Sequence, residues 1–385
     1  MRDSLRFIIA GGGTGGHVLP AVAVIQELQE RGIAIEPLWI GSRDGTEAKQ
    51  AAELGIRFAA IPVGKLRRHF DPRAIRDTAR DAANIPLGVM QARNLVRSFR
   101  PEVVLSTGGY VSVPTVLAAR NRFPILTHEQ TTILGMATRI NMRSADVLAL
   151  SFDSTAALVK RSRCRTVVTG NPIRAGLFRG DAGQARERFG FDAGDPVILV
   201  MGGARGAQFL NQRVQSILAA LLSDALVIHQ TGPNRANGDY ARLVAYRETL
   251  PKEMRSRYAV TEFIGSELGD VYALADVLVC RSGAGTVAEI AALGKAAILV
   301  PLPLSGGGEQ VVNARALASR GGAKVVMQDA ATAQALLGEI RSLLADPGER
   351  ARIGAAAKAI GRRDAAARLA DELLALADSS TIATG

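Results

Sequence analysis

The chain has 385 residues, long enough for two hydrophobic cores, and is 48% apolar but only 4% aromatic. Its longest run without Lys, Arg, Asp or Glu, 7–26, is broken by a glycine turn and Pro20, and residues 1–10 hold too few apolar side chains for a signal peptide. The net charge of +11 attracts anionic ligands or surfaces, though an Arg- and Ala-rich composition also arises from genome bias; Cys164 and Cys280 have no metal or redox spacing, which suits a reducing cytoplasm.

Four apolar residues, Phe7-Ile8-Ile9-Ala10, predict a short buried strand, and the five glycines within 11–16 predict a tight turn. Apolar residues then recur at helical spacing over 18–30, with Gly32 as the stop. Strand, glycine loop and helix together aim backbone N–H groups and a helix N terminus at a phosphate, and His17 would lie beside it. Gly11, Gly13 and Gly16 satisfy G-x-G-x-x-G, which also fits a nicotinamide or flavin fold, or a turn that binds nothing. A dinucleotide fold wants an acidic residue ending the second strand, and Glu36 instead falls inside the apolar run 36–40. An oxidoreductase therefore stays a minor alternative.

Further strands are predicted at 57–61, 102–106, 124–127, 147–151 and 166–169, separated by helical patterns, which implies a parallel, doubly wound α/β sheet. Between Lys65 and Arg100, basic residues far outnumber Asp71, Asp77 and Asp81 and interleave with Phe70, Ile75, Leu87 and Met90. Segment 65–90 suits an anionic membrane surface. An ordinary amphipathic helix, packed inward under a solvated basic face, is the better account of Ile85, Val89 and Val96, and the two readings stand even for 65–75. Thr107-Gly108-Gly109-Tyr110 and His128-Glu129-Gln130 each follow a strand, where such a sheet gathers its ligand groups, although His128 also fits a satisfied structural histidine.

Gly170-Asn171-Pro172-Ile173-Arg174 reads as the exit from the first sheet, and the opening pattern then recurs. A strand at 197–201, a glycine turn Gly202-Gly203-Ala204-Arg205-Gly206 and a helix at 207–222 begin a second unit of similar architecture. Strands follow at 225–230, 259–264, 277–280, 297–300 and 324–327. Arg281-Ser282-Gly283-Ala284-Gly285-Thr286 leads into a helix carrying Glu289, a carboxylate able to accept from a ribose diol or simply to favour the helix dipole. A loop ending in Glu309-Gln310 enters a helix bearing Asn313, and the tail 349–377 is one Ala- and Arg-rich helical stretch.

Taken in order, G-G-G-T-G-G-H-x-x-P-A at 11–21, T-G-G-Y-V-S at 107–112, H-E-Q at 128–130, G-N-P-I-R at 170–174, G-G-x-x-G-A at 202–207, E-F-I at 262–264, R-S-G-A-x-T-x-x-E at 281–289 and Q-x-x-N at 310–313 resemble the MurG family over most of the chain. The resemblance implies a GT-B glycosyltransferase: two Rossmann-like, doubly wound α/β domains with an interdomain cleft. Residues 1–172 would form an acceptor- and membrane-binding domain and 173–355 a UDP-sugar-binding domain, with a helix at about 356–378 returning to the first. It implies inverting transfer of N-acetylglucosamine from UDP-N-acetylglucosamine to the 4-hydroxyl of muramic acid in lipid I, giving lipid II. The enzyme would lie peripherally on the cytoplasmic face of the membrane, with no metal or other cofactor and no nucleic-acid partner.

By the same resemblance, Ile264 sits by the uracil, Arg174 near the base or the interdomain face, Glu289 on the ribose hydroxyls, and Gly283, Ala284, Gly285 and Thr286 over the donor's phosphates or sugar. Gly13, Thr14, Gly15 and Gly16 take the acceptor pyrophosphate, with Tyr110, His128, Glu129 and Gln130 around the acceptor or the reaction centre. His17 is the leading candidate base, with Glu129 and His128 as contenders, and phosphate binding is its other possible role. Three positions depart from the family: Thr131 for Asn, Ala204 for Ser, and Glu309 for Gln or His ahead of Gln310. They leave open a related GT-B lipid glycosyltransferase with another donor or acceptor. A non-catalytic membrane scaffold is disfavoured by the presence of His17, Glu129 and Glu289 together.

Overall fold

The computed structural model describes residues 4–64, 72–159, 163–192, 194–233, 237–305 and 307–382, with 72–83 and 380–382 described as backbone. It divides into two compact units, Met1–Arg174 with Arg363–Gly385, and Ala175–Arg362.

Unit 1 alternates strands and helices: β1 Ser4–Gly11, α1 Gly15–Glu30, β2 Ala34–Gly41, α2 Thr46–Glu53, β3 Arg57–Ala60, α3 Pro72–Phe99 and β4 Val103–Gly108. It continues with α4 Ser112–Ala119, β5 Ile125–Glu129, α5 Met136–Asn141, β6 Val147–Leu150, α6 Asp153–Ala156 and β7 Arg165–Val168. The strands form one parallel sheet in the order β3-β2-β1-β4-β5-β6-β7.

A sheet covered on both faces has apolar residues at every strand position, and β1 shows why. Phe7 and Ile9 pack against Val18, Val22 and Ile25 of α1, while Ile8 and Ala10 pack on the other face against Ala92, Val96 and Val116. Helix α1 carries no Lys or Arg in its last turn and stops at Arg31–Gly32, where Gly32 takes a positive φ of 74°.

Unit 2 contains α7 Ala182–Phe189, β8 Val197–Met201, α8 Gln208–Asp224, β9 Leu226–Gln230, α9 Asp239–Thr249, α10 Lys252–Arg255, β10 Tyr258–Thr261 and α11 Leu268–Leu274. After these come β11 Val277–Cys280, α12 Ala284–Leu293, β12 Ala297–Leu299, α13 Glu309–Ala318, β13 Lys324–Val325, α14 Ala333–Ala345 and α15 Pro347–Ile360. The strands again form one parallel sheet, ordered β10-β9-β8-β11-β12-β13. Its core joins Ile198, Val200, Val277, Val279 and Ile298 to α8, α14 and α15.

The tail, expected as helical over 349–377 with a last helix at about 356–378, breaks later than that and forms two helices. Helix α15 packs in unit 2 against α12 and α14, and a separate helix, α16 Ala365–Ile382, packs in unit 1 on α1. The break falls at Gly361, whose backbone is extended (φ −65°, ψ 137°) and lies so close to α12 that a Cβ would meet the Ala291 carbonyl carbon at 2.4 Å. Leu369 and Leu373 of α16 are fully buried in the unit 1 core. The tenth strand ends at Thr261 rather than 264, and the last at Val325 rather than 327.

In both sheets the order reverses beside the first strand, between β1 and β4 and between β8 and β11. Ligands of doubly wound folds bind outside the carboxyl ends of the strands at such switch points. The glycine turns 11–16 and 107–109 meet at one of them, and 202–206 and 281–283 at the other.

Candidate active site

At the switch point of unit 1 the two glycine turns need each other. Thr107 Oγ1 donates to the His17 carbonyl at 2.6 Å and occupies the space a Cβ on Gly11 would take, 2.0 Å away. Trp39 Nε1, fully buried on β2, donates to the Gly11 carbonyl at 2.9 Å. The Tyr110 ring covers Gly13, whose φ is 82° and whose Cβ would meet Tyr110 Cε1 at 2.9 Å. Thr14 is the N-cap of α1 yet makes no capping hydrogen bond, and no acidic residue lies in the first turn. The positive end of the helix at Gly15 and Gly16 therefore has no side-chain cap of its own.

His17, in that first turn, is half-buried, and its Nδ1 lies 2.9 Å from Thr14 Oγ1. Its ring lies over Gly108 and Gly109, which have φ of 89° and 78° and would put a Cβ 3.1 and 3.2 Å from it. Burial lowers its pKa, opposed by the charges of Glu129 and Glu47 and by the Gly12 carbonyl. The imidazole is therefore neutral at pH 7, and with the proton on Nδ1 its Nε2 keeps a free lone pair.

His128, read from the sequence as either a site residue or a satisfied structural histidine, lies deep in the sheet. It has no exposed surface; Nε2 lies 3.0 Å from the Gly170 carbonyl and Nδ1 3.4 Å from Gln130 Nε2. A ring nitrogen facing a carbonyl must donate, so both nitrogens are engaged in tying strand ends together. Burial pushes its pKa down to about 4, with the neighbouring His17 acting in the same direction and the Gly170 carbonyl against. These contacts fit the structural reading of the residue. Gln130 is buried as well and donates to the Thr107 carbonyl, fixing the second glycine turn.

Glu129 is 4% exposed and its carboxylate is already in use: Oε1 accepts from Thr131 N at 3.1 Å and Thr131 Oγ1 at 2.9 Å, and Oε2 from Gly135 N at 2.9 Å. It closes the loop 131–135, and its charge reaches His17. Thr131, the residue that departs from the family, is satisfied inside this loop by Glu129 and the Ile133 carbonyl. Arg174, at the end of unit 1, has a buried Nε with no hydrogen-bond partner.

In unit 2 the turn after β8 is shaped by Gly203 and Gly206, at φ 78° and 73°, and by Gln230 Nε2 donating to the Gly203 carbonyl at 3.1 Å. Ala204 stands exposed at its tip. Gly283 caps α12 with no side-chain hydrogen bond, and a Cβ on Gly283 or Gly285 would meet open space. Glu289 lies beyond the first turn, 8% exposed, and its Oε2 accepts from Tyr272 Oη at 2.8 Å. Dipole stabilisation, which acts within the first turn, does not explain a buried carboxylate there.

Gln310 Oε1 accepts from Leu302 N at 3.1 Å, and Asn313 Nδ2 donates to the Ser282 carbonyl at 3.2 Å, so the loop before α13 is pinned to the turn before α12. Glu309 opens α13 beside that loop. The Ile264 side chain, expected at the uracil, is 2% exposed, and Phe263 is the exposed member of that motif at 58%. Glu36, the residue on which a dinucleotide reading turned, pairs with Arg6 at 2.7 Å within the N-terminal half of β2, away from the strand ends that bind cofactors.

Sequence reasoning missed Glu47 and Tyr272. Glu47 is fully buried, with Oε2 accepting from Gly13 N at 2.9 Å and Oε1 from Ser42 N at 2.9 Å. The signal was present as glycines at 41 and 45 around a first-turn Glu after a strand. No group of three or more His, Cys, Asp or Glu with metal-site geometry occurs among the described residues.

Two family models match the chain: the glycosyltransferase family 28 N-terminal domain over residues 7–149 and the family 28 C-terminal domain over 197–369. A protein of Desulforudis audaxviator named UDP-N-acetylglucosamine--N-acetylmuramyl-(pentapeptide) pyrophosphoryl-undecaprenol N-acetylglucosamine transferase is 35% identical over 98% of this chain and 100% of its own length. A Caldanaerobacter subterraneus protein of the same name is 32% identical over 95% of this chain and 98% of its own. The crystal structure of Acinetobacter baumannii MurG superposes with a TM-score of 0.68 at 26% identity, covering 96% of this chain and 99% of that one. The calicheamicin glycosyltransferase CalG4, at 14% identity and a TM-score of 0.67 over 98% of both chains, shares the fold.

Proposed function

The chain belongs to the MurG family of the family 28 glycosyltransferases, and from that premise we propose how its two units divide one reaction. The enzyme transfers N-acetylglucosamine from UDP-N-acetylglucosamine to lipid I, forming lipid II in peptidoglycan synthesis. The observation that carries this function is identity of 35% extending over 98% of the chain and the whole of the relative.

Unit 2 takes the donor. The uncapped N terminus of α12 and the turn 202–206 meet the departing diphosphate, Glu289 accepts from the ribose hydroxyls, and the loop carrying Glu309 and Gln310 faces the sugar. Unit 1 takes the acceptor, with its pyrophosphate at the amides of Thr14, Gly15 and Gly16. His17 Nε2 removes the proton as the 4-hydroxyl attacks the anomeric carbon from the face opposite the leaving UDP, which inverts that centre. Neutrality at pH 7 suits His17 to this task, and Glu129 and Glu47 stabilise the imidazolium that forms. Charge on the leaving group is met by backbone donors and the α12 dipole, so no metal is required.

The enzyme works at the membrane surface through segment 65–90. Residues 65–71 and the side chains of 72–83 lie outside the described residues; support comes from the remainder, where Leu87 and Met90 of α3 are 43% and 56% exposed while Val96 is buried. No helix of the described residues is long and apolar enough to cross a membrane.

The test is transfer from labelled UDP-N-acetylglucosamine to a short-chain lipid I analogue, in EDTA, with UDP-glucose and UDP-N-acetylgalactosamine in parallel. Selective transfer from the N-acetylglucosamine donor supports both the donor assignment and metal independence. Transfer from another donor would direct attention to Glu309 and Ala204. Replacing His17 by Ala should abolish turnover and spare UDP binding, and retained turnover would rule it out as the base.

A further inference from the structure

Glu47 is the second residue of α2, a position where a carboxylate ordinarily faces water and favours the helix dipole. Here it is fully buried and reaches across to another loop. Its carboxyl group lies where a Cβ on Gly12, Gly41 or Gly45 would be, with the nearest Glu47 atoms 2.3, 2.6 and 2.1 Å from those positions. Three glycines from two loops thus form a notch that only this side chain fills. Within it one oxygen accepts from Gly13 N and the other from Ser42 N and Ser42 Oγ.

We propose that Glu47 is a positioning residue of the unit 1 site, an internal anion that holds the 11–16 loop in the shape that presents the Gly15 and Gly16 amides and His17 to an anionic substrate. The inference rests on the acceptor role of unit 1. Because Gly13 N–H is committed to Glu47, an incoming pyrophosphate is limited to the amides that follow it. The charged groups facing His17 are Glu129 and Glu47, with His128 and the Tyr110 ring packed around the same turns.

The test replaces Glu47 by Gln in the full chain, which keeps the volume but sets an NH2 against one of two N–H donors. Titration of the His17 imidazole by NMR, assigned with His17→Gln, needs no substrate. It should move to lower pH, and turnover should fall about 10–100-fold, the scale for misplaced groups, with UDP binding unchanged. Unchanged turnover overturns the proposal, as does an unmoved His17 titration. Should Glu47→Gln fail to fold, Ser42→Ala removes a single donor to the same carboxylate while keeping its charge, and turnover decides: a smaller fall with UDP binding unchanged supports the proposal, and unchanged turnover overturns it. If the unaltered chain transfers nothing to lipid I, the functional reading fails, and the backbone amide signals of Gly13, Gly15 and Gly16 in Glu47→Gln still decide whether Glu47 holds the loop, unmoved signals overturning the proposal.

Discussion

Tyr272 Oη donates to Glu289 Oε2 at 2.8 Å, and the tyrosine is 1% exposed. A hydrogen bond to a charged group contributes about 1.5–3 kcal/mol, and a carboxylate so held is aimed before any ligand arrives. With Glu289 on the ribose, Tyr272→Phe should raise KM for UDP-N-acetylglucosamine about tenfold and leave kcat within about twofold, since the bond acts equally in ground and transition states. Glu289→Ala should weaken UDP binding further. Titration calorimetry with UDP checks both.

Glycines at the two donor turns should respond in opposite ways. Gly206 has φ 73° and a Cβ there would sit 2.0 Å from the Thr231 carbonyl, so Gly206→Ala should lower the stability of unit 2 by about 2 kcal/mol or more. Gly283→Ala meets open space in an ordinary conformation and should leave the melting temperature unchanged. If the donor's phosphate approaches that backbone closely, the same change should still cost UDP affinity. Paired melting curves and UDP titrations separate the two outcomes.

Acid should destabilise both units through buried histidines. Burial pushes His128 down to about 4 and His229 to about 3 from an ordinary 6.5. A histidine whose folded pKa is depressed contributes fully above pH 6.5, and its contribution is lost as the pH falls toward the folded value, because the unfolded chain takes up the proton first. For His128 the loss between pH 6.5 and 4 is about 3 kcal/mol. Thermal midpoints should fall steeply over that range. His128→Gln should begin less stable at pH 7.5 and decline less by pH 5.

Membrane contact is tested where the side chains are described. Leu87→Ser with Met90→Ser changes two exposed residues and should not alter stability. Sedimentation with vesicles rich in phosphatidylglycerol should show weaker binding than for the unaltered chain. Equal binding would locate the contact elsewhere.

The local periodicities made both sheets and the glycine turns at 11–16, 107–109, 202–206 and 281–283 legible, because a buried parallel strand is an apolar run and a turn at its end declares itself in glycine. What the sequence concealed depends on which residues a turn brings close. His128-Glu129-Gln130 are three polar residues in a row, and only the strand pairing reveals that His128 is engaged with Gly170 while Glu129 closes the next loop. Glu47 reads as a dipole residue because its partner, Gly13, lies 34 positions away. Tyr272 is one apolar-looking position in a short helix until Glu289 arrives beside it. The break at Gly361 was hidden by an Ala-rich run whose helical propensity continues on both sides, and a tertiary contact with Ala291 overrides it.

Helix α16 sets an order of events during synthesis. Unit 1 draws Leu369, Ala370, Leu373 and Ala377 into a core that otherwise consists of residues from the first half of the chain. Unit 2 uses only the contiguous stretch Ala175–Arg362. A ribosome therefore releases everything the second unit needs before the first can finish, and the domain begun earliest is the last to be sealed. Until then an apolar strip of α1 stays uncovered on the nascent chain, open to chaperones and proteases, and a stop codon just before residue 365 would leave it so permanently.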